Sequence, residues 1–286
     1  NCLNQSYNTW GDEALYRWTF KRKVQNNYTV QMILSDKGEF IAGSGVSFRK
    51  IVINKEKIDI GIMTGSWTLP AARGKGSFTK IIEASLDIVE ERGYQLLTAF
   101  VVKTNPSYRR LKEAGSLLIP THYLVREKEK EINSKQDKKF KSITIKDSDI
   151  ESLYYEYMED HNSKLRFFYE KKDWKAQFLQ KPPFPFLVQW KNMSCLLEEV
   201  RDIFKVQYLS QGNKDEISKF IQQLILFSNI RNKNLLFFTT QINIVEISKK
   251  LNFIDNPGYL TILGKNSVPD IKGLEDHVLI HSADRM

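Results

Sequence analysis

Arg73, Gly74, Lys75 and Gly76 stand directly before a run with helical periodicity, within TLPAARGKGSFTKIIEASLDIVEERG at residues 68–93. A helix N-terminus presents unpaired backbone N–H groups and the positive end of its dipole, so it suits a phosphate or pyrophosphate. Gly74 and Gly76 let the backbone approach such an anion, and Arg73 and Lys75 add charge. The same residues also suit an ordinary glycine turn between strand and helix, so context has to decide. The chain contains no G-x-x-x-x-G-K-[ST] and no G-x-G-x-x-G, which excludes a nucleoside triphosphate loop and a dinucleotide fingerprint.

The elements that must position this turn are legible as changes of period. NYTVQMILSD and EFIAGSGVSFRKIVIN are β-rich runs broken at DKG, and NKEK leads into IDIGIMTGSWTLP, a long strand ending at Pro70. From Thr79 the period becomes 3.6, with Phe78, Ile81, Ile82, Ser85, Leu86 and Val89 on one face and Gly93 as the cap. YQLLTAFVV reads as a buried strand. In TNPSYRRLKEAG, Asn105 is the N-cap, Pro106 the first helical residue and Gly115 the stop, and SLLIPTHYLVREK follows as a strand.

Beyond a mixed-charge stretch at 126–146, KDSDIESLYYEYMEDH reads as an amphipathic helix, and PPFPFLVQW, MSCLLEEV and DIFKVQYLS as short strands. KDEISKFIQQLILFSN (helix), NLLFFTT (strand) and QINIVEISKKLNF (helix) repeat the order of the first half. Gly76 and Gly115 lie 39 residues apart and Gly212 and Asn252 lie 40 apart, with Asn252 where Gly115 stands, so we read a weak internal duplication. The expected units are a domain at 1–130, a charged linker at 131–146, a degenerate domain at 147–265 and a tail at 266–286.

The chain has 286 residues, enough for two domains, and a formal charge of +9, which favours anionic partners such as an anionic cofactor, an acyl carrier protein or an acidic acceptor. With no arginine-rich arm, nucleic acid is not the expected partner. No apolar run reaches the roughly 18 residues of a membrane span, and NCLNQSYNTW lacks the order of a signal peptide. Cys2 and Cys195 are the only cysteines, and neither a disulfide scaffold nor a metal-spaced Cys/His pattern is present. The expectation is a soluble, cytoplasmic protein with no metal, and the initial Asn leaves the native start open.

R-x-x-G after a long strand, then an amphipathic helix, a buried strand and an Asn-initiated helix, resembles the GNAT superfamily of acyl-CoA-dependent acyltransferases over residues 10–125. ARGKGSF is similar to the family's Q/R-x-x-G-x-G/A loop, with Arg73 and Gly76 at its first and fourth positions. NPSYRRLKEAG is similar to the later helix that flanks the cofactor arm. Phe78 stands where the usual pattern has Gly or Ala. Leu111, four residues before Gly115, stands where many members carry the tyrosine that protonates the leaving thiolate, and Tyr108 lies one turn earlier as its substitute.

The resemblance implies an α/β (α+β) fold of two tandem GNAT-like domains, each a mixed, mostly antiparallel sheet flanked by helices, the second degenerate. It implies acetyl-CoA or another acyl-CoA as cofactor. Trp67, Thr68 and Leu69 would pair through their backbone with the pantetheine arm, and Arg73, Gly74, Lys75, Gly76, Ser77 and Phe78 would hold the pyrophosphate. Asn105 and Ser107 would border the thiol end. Packing alone also accounts for Trp67 and Leu69, and capping alone for Asn105.

The implied reaction is attack of an amine on the thioester, which needs a base, a polarised carbonyl and an acid for the thiolate. Tyr108 is the candidate acid. Asp59 is the carboxylate nearest the usual base position and His122 is a second candidate, whereas Glu39 reads as a solvated strand-edge residue. In the second half the equivalent turn, SQGNKDE, puts Asp215 and Glu216 in the first helical turn, where they would repel a pyrophosphate. LRFFYEKKDW suits either an acceptor groove or plain packing. Two other readings stand beside an N-acyltransferase, most simply an acetyltransferase: an aminoacyl or acyl transferase with a tRNA or carrier-protein donor, and a non-catalytic CoA- or partner-binding module.

Overall fold

The computed structural model describes residues 2–7, 10–129, 141–143, 147–159, 163–265 and 277–285. Two short helices not foreseen from sequence, α1 (Cys2–Tyr7) and α2 (Glu13–Tyr16), the latter running into a π turn, lead to a two-residue hairpin, β1 (Lys23–Val24) and β2 (Asn27–Tyr28). β3 (Val30–Asp36), β4 (Glu39–Ile53) and β5 (Glu56–Thr68) then form an antiparallel ladder. Lys37 and Gly38, and Asn54 and Lys55, all have positive φ, the type I′ geometry that matches the twist of a hairpin. α3 (Ser77–Glu91), β6 (Leu96–Val102), α4 (Pro106–Glu113) and β7 (Leu117–Arg126) complete the first half where the periodicity places them.

The second half runs β8 (Lys141–Ile143), α5 (Asp147–Met158), β9 (Leu165–Phe168), α6 (Lys171–Phe178), β10 (Phe186–Trp190), β11 (Met193–Val200) and β12 (Ile203–Leu209). It continues with α7 (Lys214–Ile230), β13 (Asn234–Thr239), α8 (Ile242–Lys250), β14 (Ile254–Leu263), β15 (Val278–Leu279) and a 3₁₀ turn (Ser282–Arg285). Apart from Lys141–Ile143, the expected linker lies outside the described residues. Val278, Leu279, Ile280 and Ala283, read from sequence as part of a tail, are buried.

Both halves contribute to one mixed sheet, ordered β15-β9-β4-β5-β6-β14-β7-β13-β12-β11-β10-β8, with β3 on the free part of β4. β14 lies between β6 and β7, antiparallel to both, and β7 pairs in turn with β13. The first half thus lends β7 to the second, and the second lends β14 to the first. One face carries α5, α6 and the C-terminal turn over Ile60, Ile119, Leu260 and Phe238. The opposite face carries α3 over Leu97, Ala99 and Val101, and α7 and α8 over Phe204, Leu235 and Phe237.

Of the three parallel pairs among the described residues, β15 with β9, β5 with β6 and β12 with β13, the last two bear on the site. β5 and β6 pair with each other only at Ile60–Ile62 with Leu96–Thr98, after which β5 runs on to Thr68 along β4 and β6 to Val102 along β14. The divergence follows a bulge opposite Gly43 and Gly45, where Gly65 takes a φ of 56°. β12 and β13 likewise pair only at Ile203–Lys205 with Asn234–Leu236.

Candidate functional site

The gap between β5 and β6 and the N-terminus of α3 meet at the glycine turn. Gly74 and Gly76 have φ of 76° and 77°, which side chains with a Cβ rarely adopt, and there is open space where a Cβ would stand on either. Gly76 is the N-cap of α3 and offers no side chain to its first amides. α7 differs: Asn213 accepts from the amides of Asp215 and Glu216 while the Glu216 carboxylate accepts from the Asn213 amide, a closed capping box. The first helix end leaves its donors for an outside acceptor, and the second does not.

Along β5 the edge facing the gap is fixed by hydrogen-bond alternation. The Leu69 amide donates to the Ile41 carbonyl at 2.9 Å, so Leu69 and, two residues back, Trp67 turn their peptide groups toward β4. Ser66 and Thr68 turn theirs into the gap. Of the three residues expected to meet a pantetheine arm, only Thr68 presents its backbone there, and Ser66 joins it. The Trp67 ring lies over Gly43, where a Cβ would come within 2.7 Å of it.

Two groups of the chain already touch this edge. The Tyr7 hydroxyl donates to the Ser66 carbonyl. Arg73 is exposed, its Nε donating to the Thr68 carbonyl at 3.3 Å and its Nη2 lying 3.5 Å from the Ser6 carbonyl. Lys75 is exposed, Ser77 is buried with its hydroxyl on the Ala72 carbonyl, and Phe78 packs on the core beneath α3.

At the far side of β6, Asn105 caps α4, its Oδ1 accepting from the Ser107 amide at 3.0 Å and the Ser107 hydroxyl at 2.9 Å. Leu111 is buried in the core. Tyr108 is half-buried and stacks on Tyr259 of β14, with ring centroids 5.0 Å apart. The Tyr259 hydroxyl is pushed above the ordinary phenol range by burial and by the adjoining Tyr108.

Asp59 does not belong to this site. It pairs with Lys50 at 2.6 Å, directly across from it on β4, and sits at the opening end of β5, eight residues before Trp67, roughly 26 Å along an extended strand. Its position was legible but its partner was not. His122 is also committed elsewhere, with Nδ1 3.0 Å from Asp255, which in turn meets Lys249 of α8 at 3.0 Å. Trp174 of α6 and Phe167 and Tyr169 of the LRFFYEKKDW cluster are fully buried in one core cluster, so these rings are packing.

No family model matches the sequence, and no curated protein matches it. Solved structures do. The chain is similar to a GCN5-related N-acetyltransferase from Kribbella flavida, at 10% identity and TM-score 0.52, over 82% of this chain and 60% of that one. A GCN5-related N-acetyltransferase from Anabaena variabilis aligns at 10% identity and TM-score 0.56, over 92% and 68% of the two chains. N-myristoyltransferase from Saccharomyces cerevisiae, solved with bound myristoyl-CoA, aligns at 10% identity and TM-score 0.65, over 94% and 75%. The chain has the GNAT fold. It spans only three-fifths of the Kribbella protein's length, so the likeness concerns architecture. Within the GNAT fold, the diverging strands are β5 and β6 and the glycine turn is residues 73–76. Among the described residues no helix is long and apolar enough to cross a membrane.

Proposed function

We propose that the chain is an acyl-CoA-dependent N-acyltransferase of two duplicated GNAT-like halves, with its cofactor site in the first half. The observation that carries this reading is the contrast between the halves. In the first, a left-handed glycine turn leaves the amides of α3 uncapped beside the diverging strands. In the second, α7 is closed by its capping box, and the chain's own residues 279–282 lie against the diverging ends of β12 and β13. Thr240 Oγ1 fastens them, donating to the Val278 carbonyl at 2.7 Å and accepting from the Ile280 amide at 3.2 Å. One cofactor per chain is therefore expected.

Bound acyl-CoA supplies a thioester open to attack by an amine. The α3 amides together with Arg73 and Lys75 hold its pyrophosphate, as a helix N-terminus with adjacent cations does. The peptide groups of Ser66 and Thr68 that face the gap, their carbonyls now held by Tyr7 and Arg73, would align its amide-bearing arm, and Asn105 and Ser107 would border the far end. Tyr108 would give its hydroxyl proton to the departing sulfur, its ring held in place by the stacked Tyr259. Acetyl is the smallest acyl group to test, and a long chain is the natural contrast.

Calorimetric titration with acetyl-CoA and with myristoyl-CoA, beside the Arg73→Ala variant, tests the reading. One site per chain is expected, weakened by roughly 1.5–3 kcal/mol in the variant, the scale of a lost charge-assisted hydrogen bond. No binding of either thioester would refute the cofactor site. Binding without turnover against any amine would leave a CoA-binding module.

A further inference from the structure

Each half has a segment of the chain set against its diverging strands, and the two segments are attached in different ways. In the first half the segment is α1, which lies against β5. The Tyr7 hydroxyl donates to the Ser66 carbonyl. The neighbouring Ser6 carbonyl lies 3.5 Å from Nη2 of Arg73, whose Nε is at the same time on the Thr68 carbonyl at 3.3 Å. Both carbonyls that this end of β5 turns into the gap are therefore taken from within the chain, and the Arg73 guanidinium lies on β5. An acyl-CoA arm needs the same carbonyls and its pyrophosphate the same guanidinium. Along this edge α1 and the cofactor exclude one another.

The hold on α1 is slight. None of its six residues is buried, and a helix of that length has no stability of its own. Its remaining tie is Asn4, whose Oδ1 accepts from the Trp10 amide at 2.9 Å. The segment at the second gap is held by its core: Val278, Leu279, Ile280 and Ala283 are buried, Asp284 is fully buried, and Thr240 fastens the backbone. An element without buried side chains opens at low free energy, whereas one anchored in the core opens only as the fold does. After α1 the chain is pinned again at Trp10, whose ring stacks 5.7 Å from that of Phe20, itself buried against Gly45 and Gly65. Lifting α1 leaves that anchor in place.

We propose that α1 is an autoinhibitory strap: it closes the edge of β5 in the empty chain and is displaced when acyl-CoA enters. The proposal rests on the acyltransferase reading for the identity of the competitor. The apparent affinity is then the intrinsic affinity scaled by the fraction of chains whose strap is lifted. Linkage makes the effect reciprocal, so a weaker strap tightens cofactor binding and bound cofactor releases the strap. The second half keeps its gap shut because its segment belongs to the core.

Two residues of α1 allow a test that leaves the site untouched. Gln5 is exposed in the middle of the helix, and Gln5→Gly weakens the helix without removing a contact to β5. Cys2 is half-buried at the start of α1, and the other cysteine, Cys195, is fully buried and serves as the silent control. Calorimetry with acetyl-CoA should show Gln5→Gly binding about threefold tighter than the wild-type chain, with unchanged thermal melting. Alkylation of Cys2 by iodoacetamide, followed by peptide mass spectrometry, should be faster in Gln5→Gly and faster in the wild-type chain once acetyl-CoA saturates it. Equal or weaker binding by Gln5→Gly, or slower alkylation of Cys2 with acetyl-CoA bound, would overturn the strap and leave the cofactor site standing. No binding by either chain would remove the cofactor site and the strap with it.

Discussion

Tyr259 of β14, made in the second half of the chain, stacks on Tyr108 of α4 with ring centroids 5.0 Å apart and the two ring planes 15° apart. The candidate acid of the first half is thereby held by a residue of the other. Tyr108→Phe is expected to lower kcat by about 100-fold, within the range of a lost general acid, with acyl-CoA affinity unchanged. Tyr259→Leu should lower kcat by a smaller factor, because it removes the stacked ring that positions Tyr108 and leaves the donor. Thiol release measured at saturating acyl-CoA reads both, and an unchanged kcat in Tyr108→Phe would discard the assignment.

The glycine turn makes a prediction about backbone and not about space. Gly76→Ala meets no atom within 4 Å, so its cost comes from the left-handed φ of 77°, about 1–2 kcal/mol. The melting temperature should fall accordingly, and acyl-CoA affinity should fall further as the turn relaxes away from this geometry. A variant with wild-type affinity would show that the turn does not shape an anion site.

Tyr7 occupies an acceptor that the pantetheine arm would use. Replacing it by Phe removes the bond to the Ser66 carbonyl without removing the ring. Acyl-CoA should then bind more tightly, by about 1 kcal/mol or roughly fivefold, because no hydrogen bond has to be broken first. Weaker binding in Tyr7→Phe would mean instead that α1 stays in place and forms part of the bound state.

Asp284 predicts a pH dependence of stability. It is fully buried, accepting from the His281 amide at 2.7 Å and the Tyr157 hydroxyl at 3.2 Å, and burial raises its pKa from 3.8 to about 7. The folded chain holds this proton between about pH 4 and 7, where the unfolded chain has lost it. Its contribution to stability is present below pH 4 and is lost as the pH rises toward 7, on the order of 2–4 kcal/mol across the window. Urea unfolding at pH 5 and pH 7.5 should show a larger difference for the wild-type chain than for Asp284→Asn, which cannot titrate.

Periodicity was enough to find the ladder of β3–β5, the buried β6 and the helices α3, α4, α7 and α8, because each buries one regular face. β14 was hidden by Pro257, since proline in a run argues against a central strand. The internal repeat held the answer: Pro120 of β7 and Pro257 are 137 residues apart, the same spacing as Gly115 and Asn252. The edge of β5 that faces the gap could not be read by simple alternation, because the bulge near Gly65 changes which residues share an edge. Lys50 neutralises Asp59, and Tyr7 reaches Ser66 across 59 residues of sequence; both depend on register and packing that no local pattern records.

The insertion of β14 between β6 and β7 also sets an order for synthesis. Both flanking strands leave the ribosome by residue 126, yet the strand that joins them begins at Ile254. At 5–20 residues per second the wait is on the order of ten seconds, during which the facing edges of β6 and β7 lack their partner. Such edges are templates for pairing with another chain, so the nascent first half depends on chaperone cover or slow collapse until its sibling strand arrives.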